Sequence, residues 1–89
     1  MITFIDEDGA YVAWRDAHAD AWIVNHDPRA FNRYRILHRA SCTTLSGRPA
    51  HGEAWTKVYA KTCADRRADL EWWAAANDGQ LTPYGLCRP

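Results

Sequence analysis

A chain of 89 residues with 47% hydrophobic residues, 25% charged residues and no net charge has the composition of an ordinary folded domain. The zero net charge excludes bulk electrostatic attraction to nucleic acid or to a membrane surface. No apolar run is long enough to span a bilayer, and no signal-peptide pattern occurs. We therefore expect residues 1–89 to form one cytoplasmic domain that has no membrane partner.

The charges are unevenly distributed along the chain. Residues 1–27 contain six acids and one base, residues 28–61 contain seven bases and one acid, and residues 62–89 contain three bases and four acids. Such segregation is typical of an interaction surface. Mutual neutralisation of an acidic first helix by basic strands would explain the same pattern.

The first helix is predicted to run from about residue 9 to residue 18 or 19, after a segment at 1–5 that is either a short edge strand or a docked terminus. Asp8 is the expected N-cap, because its carboxylate favours the positive end of a helix. Arg15 and Asp16 are expected to point outward. The predicted inner stripe, at helical spacing, is Tyr11, Trp14, Ala17 and His18.

Three strands are expected after this helix. Residues 22–25 are rich in strand-forming side chains, and Pro28 ends that run because proline cannot donate a backbone hydrogen bond. Residues 32–39 alternate between apolar and basic side chains, as the two faces of a strand would. A glycine- and proline-containing loop at 43–52 separates this strand from a third strand at 55–62.

The second helix is predicted to begin near residue 64 or 65 with Asp65 as N-cap, and to end at Gly79, which can supply a left-handed residue. A coil tail occupies residues 80–89. The order is thus α-β-β-β-α, which predicts an α+β fold: a two-layer domain with a three-stranded antiparallel sheet and both helices on one face. The helix stripe is Leu70, Trp73, Ala74 and Asn77, and the predicted shared core is Trp14, Trp22, Ile36, Val58, Leu70 and Trp73.

The second and third strands predict a basic, aromatic surface. If Tyr34, Ile36 and His38 face the helices, the arginines between them share the other face of the sheet. Cations placed between aromatic rings suit a single-stranded nucleic acid, whose phosphates pair with the cations and whose bases stack on the rings. The predicted binding residues on this face are Arg33, Arg35, Arg39, Trp55, Lys57, Tyr59 and Lys61.

The three cysteines suggest reduced thiols or a metal site, because an odd number argues against a closed disulfide framework. Four ligands of the histidine and cysteine type hold a structural zinc ion. Our main expectation is that no cofactor binds, and the alternative is a small structural zinc domain. The candidate zinc ligands are His38, Cys42, Cys63 and Cys87.

Catalysis is not indicated. Cys42 with His38 or His51 is the only pair that could form an activated thiol nucleophile, and neither a glycine-rich phosphate cradle nor paired carboxylates are evident. We therefore expect a non-enzymatic binding module. Besides nucleic acid, a protein partner is possible, because adjacent Trp72 and Trp73 diverge by about 100° on a helix and one of them is expected to be partly exposed. An inhibitor or adaptor would use such exposed tryptophan and arginine side chains.

Two segments resemble motifs of a family of small, largely uncharacterised bacterial proteins. They contain His-Arg-Ala-Ser-Cys at 38–42 and Leu-Thr-Pro-Tyr-Gly-Leu-Cys at 81–87. The strand at 22–25 and the helix segment at 70–73 also lie where that family has similar segments, so the resemblance covers most of the chain. The family's tail often reads Thr-Pro-Cys-Gly-x-Cys, whereas Tyr84 stands at the first cysteine position here. The resemblance implies the extent of the domain and no established activity.

The α-β-β-β-α order is also similar to that of a double-stranded-RNA-binding domain. This resemblance implies that Arg66 and Arg67, at the start of the second helix, contact phosphate. The loop glycine-proline motif and the lysine cluster of that family are missing here. The likeness therefore concerns architecture only. Nucleic acid is the first expected partner and a protein the second.

Overall fold

Five strands and two helices make up the described part of the chain. The computed structural model describes residues 1–29, 35–42, 56, 59–77 and 79–83. The elements are β1 (Ile2–Phe4), α1 (Asp8–Ala17), β2 (Trp22–His26), β3 (Arg35–Arg39), β4 (Ala60–Ala64), α2 (Arg67–Ala76) and β5 (Thr82–Pro83). The predicted α+β class is confirmed, and residues 1–5 do contain an edge strand.

The sheet is larger than predicted and has a different centre. Its order is β1-β4-β2-β3-β5, with β5 parallel to β3 and all other pairs antiparallel. The prediction of a three-stranded antiparallel sheet is therefore wrong, and the predicted coil tail contains a strand. The strand β2 lies between β3 and β4, and its residues Ile23 and Val24, on opposite faces, are both completely buried, as expected for a central strand covered on both sides.

The two helices cover opposite faces of the sheet. Ile23 and Cys63 pack in one core cluster with Tyr11 of α1, whereas Val24 and Ala64 pack in a second cluster with Leu70 of α2. The prediction that both helices share one face is wrong, because consecutive apolar residues of a strand point to opposite sides and each side needs cover. The structure therefore departs from the order on which the likeness to a double-stranded-RNA-binding domain rested.

The predicted shared core is divided between these two clusters. Trp14 packs against the α1 cluster, while Trp22, Leu70 and Trp73 belong to the α2 cluster. Ile36 is only half-buried. Val58 lies outside the described residues.

Thr56 fixes the start of α1. Its backbone N–H and hydroxyl donate to the carboxylate of Asp8 at 2.8 and 2.6 Å, and its oxygens accept from the backbone N–H groups of Asp6 and Glu7 at 2.8 and 2.7 Å. The prediction of Asp8 as N-cap is therefore wrong, because Asp8 is the first helical residue. The observed N-cap is Glu7, which makes no side-chain capping bond. We call this set of bonds the Thr56 clamp.

The end of β4 and the start of α2 also differ from prediction. The strand β4 extends to Ala64, so α2 begins only at Arg67, and Arg66 rather than Asp65 is its N-cap. The helix ends near the predicted position, where the N–H of Gly79 donates to the carbonyl of Ala74 at 2.9 Å. Because this bond turns the chain back, residues 82–83 reach β3.

Candidate functional site

The predicted basic surface is divided between the two faces of the sheet. Arg35 and Arg39 share one face with buried Leu37, and α2 covers part of that face. Lys61 pairs with Asn25 across β4 and β2. Val24 pairs with Leu37, so Asn25 and Lys61 lie on the opposite face of the sheet from Leu37 and the two arginines. Lys61 is only 4% exposed. The expectation that Lys61 shares the arginine face is wrong. The side chain of Arg35 donates to the carbonyl of Gln80, so it serves the α2–β5 link.

Of the remaining residues of the predicted surface, Tyr59 is the one that the structure describes. Tyr59 is half-buried just before β4 begins. Arg33, Trp55 and Lys57 lie outside the described residues.

Lys61 belongs to a polar cluster between α1 and the sheet. Its ammonium donates to Asn25 Oδ1 at 2.5 Å and lies 5.9 Å from the centre of the Tyr11 ring. Burial lowers the pKa of Lys61 to about 8, so the side chain is still charged at neutral pH. The sequence analysis missed Asn25 and Tyr11 as partners of Lys61, because strand alternation alone does not give the register between β2 and β4.

Two other titratable groups of this region, His38 and Cys63, are held neutral. Burial, aided by the charge of Lys61, lowers the pKa of His38 to about 4, and burial raises the pKa of the Cys63 thiol to about 12. A protonated thiol is neither a nucleophile nor a metal ligand. The cluster therefore has the chemistry of a buried polar core.

Arg15 is a further residue that the sequence analysis placed incorrectly. It was expected to point outward, but it is 8% exposed, with its guanidinium 5.5 Å from the centre of the Tyr11 ring. Its Nε donates to the exposed carboxylate of Asp16 at 3.3 Å. The long aliphatic stem of arginine allows burial of the chain while the charged end keeps a partner.

The candidate zinc ligands do not assemble among the described residues. Cys42 is disulfide-bonded, and Cys63 is a buried free thiol. Ile23 pairs with His38 on one side and with Cys63 on the other, so these two ligands are separated by two strand spacings, roughly 10 Å between backbones. Within the described ranges no group of three histidine, cysteine or acidic side chains is arranged to hold a metal ion. Cys87 lies outside the described residues.

The disulfide at Cys42 corrects the expectation of reduced thiols. Disulfides persist mainly in oxidising compartments. This bond therefore disagrees with the premise on which a cytoplasmic location was predicted, and that location remains a prediction. None of the described helices is long and apolar enough to cross a membrane.

Two arginines flank the ring of Trp22 in β2, and a third, Arg66, lies next to one of them at the start of α2. The guanidinium carbons of Arg39 and Arg67 lie 4.7 and 5.6 Å from the centre of the Trp22 ring. Arg67 pairs with Glu71 at 2.7 Å, and Arg66 pairs with Asp69 at 3.2 Å. Arg39 is exposed, and within the described part of the chain no carboxylate pairs with it. Arg39 is therefore the arginine of this group whose charge no carboxylate of the described residues offsets.

The outer face of α2 carries an exposed tryptophan. Trp72 is 70% exposed, whereas Trp73 is half-buried with its ring 5.1 Å from that of His26. This confirms the expectation that one of the two adjacent tryptophans is exposed. Of its four neighbours one helical turn away, three are exposed alanines and the fourth is Asp69, which pairs with Arg66. We call this surface the α2 patch: Ala68, Trp72, Ala75 and Ala76.

Two open cavities lie beside the α2 patch. One, of about 530 Å³, is lined by Arg35, Ala75, Gly79 and Gln80. The second, of about 230 Å³, shares Ala75, Gly79 and Gln80 and extends along α2. The sequence analysis missed both, because they depend on how the α2–β5 link folds back against the helix.

Comparison with known proteins identified no relative. No family model matches the sequence, and no curated protein or solved structure matches it.

Proposed function

We propose that this chain is a small, non-enzymatic protein-binding module whose contact surface is the α2 patch. The exposure of Trp72 carries the proposal, since its indole is largely in water while the neighbouring Trp73 packs against His26. Tryptophan is among the residues that contribute most binding energy in protein interfaces. Three of the four residues one helical turn from Trp72 are exposed alanines, so small side chains border the indole there.

The helix that presents Trp72 is already ordered. Arg67 and Glu71 form an ion pair on it, and the side-chain amide of Asn77 donates to the carbonyl of Trp73 at 2.8 Å near its end. A contact residue on a preformed helix loses less conformational entropy on binding than one on a loop. These contacts support a rigid recognition surface.

The buried polar cluster supports the non-enzymatic part of the proposal. Cys63 is completely buried with a raised pKa, and His38 is 3% exposed with a lowered pKa. A protonated thiol is not a nucleophile, and a buried imidazole with a pKa of about 4 is too weak a base and too shielded from solvent to act as a general base at neutral pH.

Site-specific photo-crosslinking tests the contact surface. A photoreactive phenylalanine analogue at position 72 is expected to crosslink a defined protein, and the same analogue at the exposed Ala13 of α1 is the control. The partner is then purified and its affinity is measured by calorimetry. Trp72→Ala should weaken binding by roughly thirtyfold or more, as expected for an interface hot spot.

The matched variant Arg29→Ala, at an exposed position far along the chain from α2, should leave the affinity unchanged. Equal crosslinking from positions 13 and 72, or unchanged affinity of Trp72→Ala, would show that the α2 patch is not the contact surface.

Nucleic acid is a second candidate partner, and Arg39 is the observation that favours it. An exposed guanidinium placed over Trp22, without a carboxylate partner in the described structure, is suited to a phosphate group. The nearby acids that pair with Arg66 and Arg67 reduce the local positive charge. The support is therefore smaller than that for a protein partner.

An electrophoretic titration with single- and double-stranded DNA and RNA separates the two candidates. Phosphate binding weakens steeply as salt rises from 50 to 200 mM, and Arg39→Ala should weaken it further. No shift at 50 mM salt would eliminate nucleic acid as the partner. Binding that is insensitive to Arg39→Ala would contradict the assigned contact.

A further inference from the structure

We propose that the outer edge of β1 binds an extended segment of a partner protein, and that this segment carries apolar side chains with basic residues at one end. Strand addition of this kind uses backbone hydrogen bonds for affinity and side chains for specificity. The proposal concerns a second surface and does not depend on the α2 patch.

The strand β1 has an unpaired edge in the described structure. It is the end strand of the sheet, and its known partner is β4, in the register Ile2↔Cys63 to Phe4↔Lys61. A strand at the end of a sheet presents backbone N–H and C=O groups along its other edge. An added strand would pair with these groups.

The two edges of the sheet differ in how they are protected. The opposite end strand, β5, has two residues and one of them is Pro83, which has no N–H to offer. Residues 1–5 contain neither proline nor a charged side chain. Proline and charged side chains are two of the devices that keep natural edge strands unpaired, and the three-residue strand β1 has neither, so its outer edge can accept a further strand.

Exposed apolar side chains are concentrated at β1. Among the described residues, the large hydrophobic side chains classed as exposed are Met1, Ile2, Ile5 and Trp72, and the first three belong to or flank this strand. Their exposed fractions are 63%, 43% and 51%. An apolar segment laid along β1 would remove these side chains from water.

The acidic residues after β1 indicate which charge the partner segment would carry beyond its paired part. Asp6 and Glu7 are exposed, and no ion pair involving either occurs in the part of the chain that is described. Their backbone N–H groups are already used by Thr56, so strand pairing must stop near Ile5. Lysine or arginine residues beyond the paired part of a partner would lie beside the two carboxylates.

A second copy of the chain fits this edge less well. In an antiparallel pair centred on Thr3, Met1 of one copy would lie opposite Ile5 of the other. Residues 1–5 provide no basic side chain for Asp6 and Glu7. The charge pattern therefore favours a different protein.

The test uses a set of synthetic nine-residue peptides that alternate valine with threonine or isoleucine. Each peptide is made with two lysines or two glutamates at one end or the other. Binding is measured by fluorescence anisotropy in low salt, and amide hydrogen exchange locates the site. Lysine-tailed peptides are expected to bind about three- to tenfold more tightly than their glutamate-tailed counterparts. They should slow exchange in Ile2–Phe4.

Three variants sharpen the result. Ile5→Asn should weaken binding of all peptides, while Glu7→Lys should remove or reverse the preference for lysine tails. Trp72→Ala is the control at the other surface and should change neither. Thermal midpoints within a few degrees of the parent chain verify that each variant is folded.

Two results would overturn the proposal. One is that no peptide slows exchange in β1. The other is that β1 becomes protected on raising the protein concentration alone, with a dimer in sedimentation velocity, which would identify a second copy as the occupant.

Discussion

Replacing Lys61 by methionine should stabilise this fold at neutral pH. Burial lowers the pKa of Lys61 from 10.5 to about 8. Each pKa unit corresponds to about 1.4 kcal/mol, so holding the charged ammonium in the folded state costs roughly 3 kcal/mol relative to the unfolded chain. Methionine has a similar shape and no charge, but it loses the hydrogen bond to Asn25 and the contact with the Tyr11 ring. We expect a net increase in the free energy of unfolding of about 1–2 kcal/mol.

The pH dependence of unfolding gives a second test of the same reasoning. Between pH 8 and 10.5 the unfolded chain keeps the Lys61 proton while the folded chain releases it, so stability rises with pH. Around pH 9 the unfolded chain loses the Cys63 proton, which the folded chain retains because that pKa is raised to about 12. The two effects oppose each other. From pH 8 to 9 the Lys61 effect is a rise of about 1 kcal/mol, and the Cys63 effect offsets about a third of it because half of the unfolded thiol is ionised at pH 9, so a net rise of roughly 0.6 kcal/mol is expected.

Urea unfolding followed by tryptophan fluorescence at pH 7, 8 and 9 measures both effects. The parent chain should gain stability from pH 8 to 9, and Lys61→Met should not. Arg29→Met is the matched control, because Arg29 is 78% exposed and its loss should change stability by no more than about 0.5 kcal/mol. A destabilised Lys61→Met variant together with a parent curve that is flat from pH 8 to 9 would refute the assignment of Lys61 as a charged, buried side chain.

Four further results are expected. The free energy of unfolding should fall by up to roughly 3 kcal/mol between pH 6.5 and 4. In this range the unfolded chain binds a proton at His38, whereas the folded chain, in which the pKa of His38 is about 4, does not bind it. Urea midpoints that do not move in this range would contradict this. Thr56→Ala should cost about 1–3 kcal/mol through loss of the clamp hydroxyl, whereas Thr56→Ser should cost much less. Leu70→Ala should cost about 2–5 kcal/mol and Ile36→Ala less, since only Leu70 is fully buried; equal shifts in thermal midpoint would show that the core is assigned incorrectly. Protein purified without added metal should contain no zinc by elemental analysis, and a zinc ion lost together with the fold on chelation would overturn this expectation.

The sequence predicts the local elements of this protein better than their arrangement. The helices α1 and α2 and the strand β2 lie close to their predicted positions, because hydrophobic periodicity and strand-forming side chains act over a few neighbouring residues. The strands β1 and β5 have three and two residues, and such short strands depend on partners elsewhere in the chain. Short-range patterns do not identify those partners.

The candidate site shows the same division. The exposure of one of two adjacent tryptophans followed from helix geometry alone, and Trp72 is the exposed one. The position of Lys61 depended on which strand lies beside β4, and the order of the strands along the chain suggested β3 where the structure has β2. Arg15 was misplaced because charge predicts where a guanidinium goes and not where its aliphatic stem packs.

The Thr56 clamp has a consequence for the order in which this chain folds. It joins residues 6–8 to residue 56, and the neighbouring Thr3 and Thr62 hydroxyls meet across 59 residues. Contacts between residues so far apart require closure of long loops, which slows folding. During synthesis, β1 and the start of α1 leave the ribosome long before β4 is available. The amino-terminal segment therefore has no strand to pair with until β4 has been synthesised, and the apolar side chains of Ile2 and Ile5 are exposed to other chains during that interval.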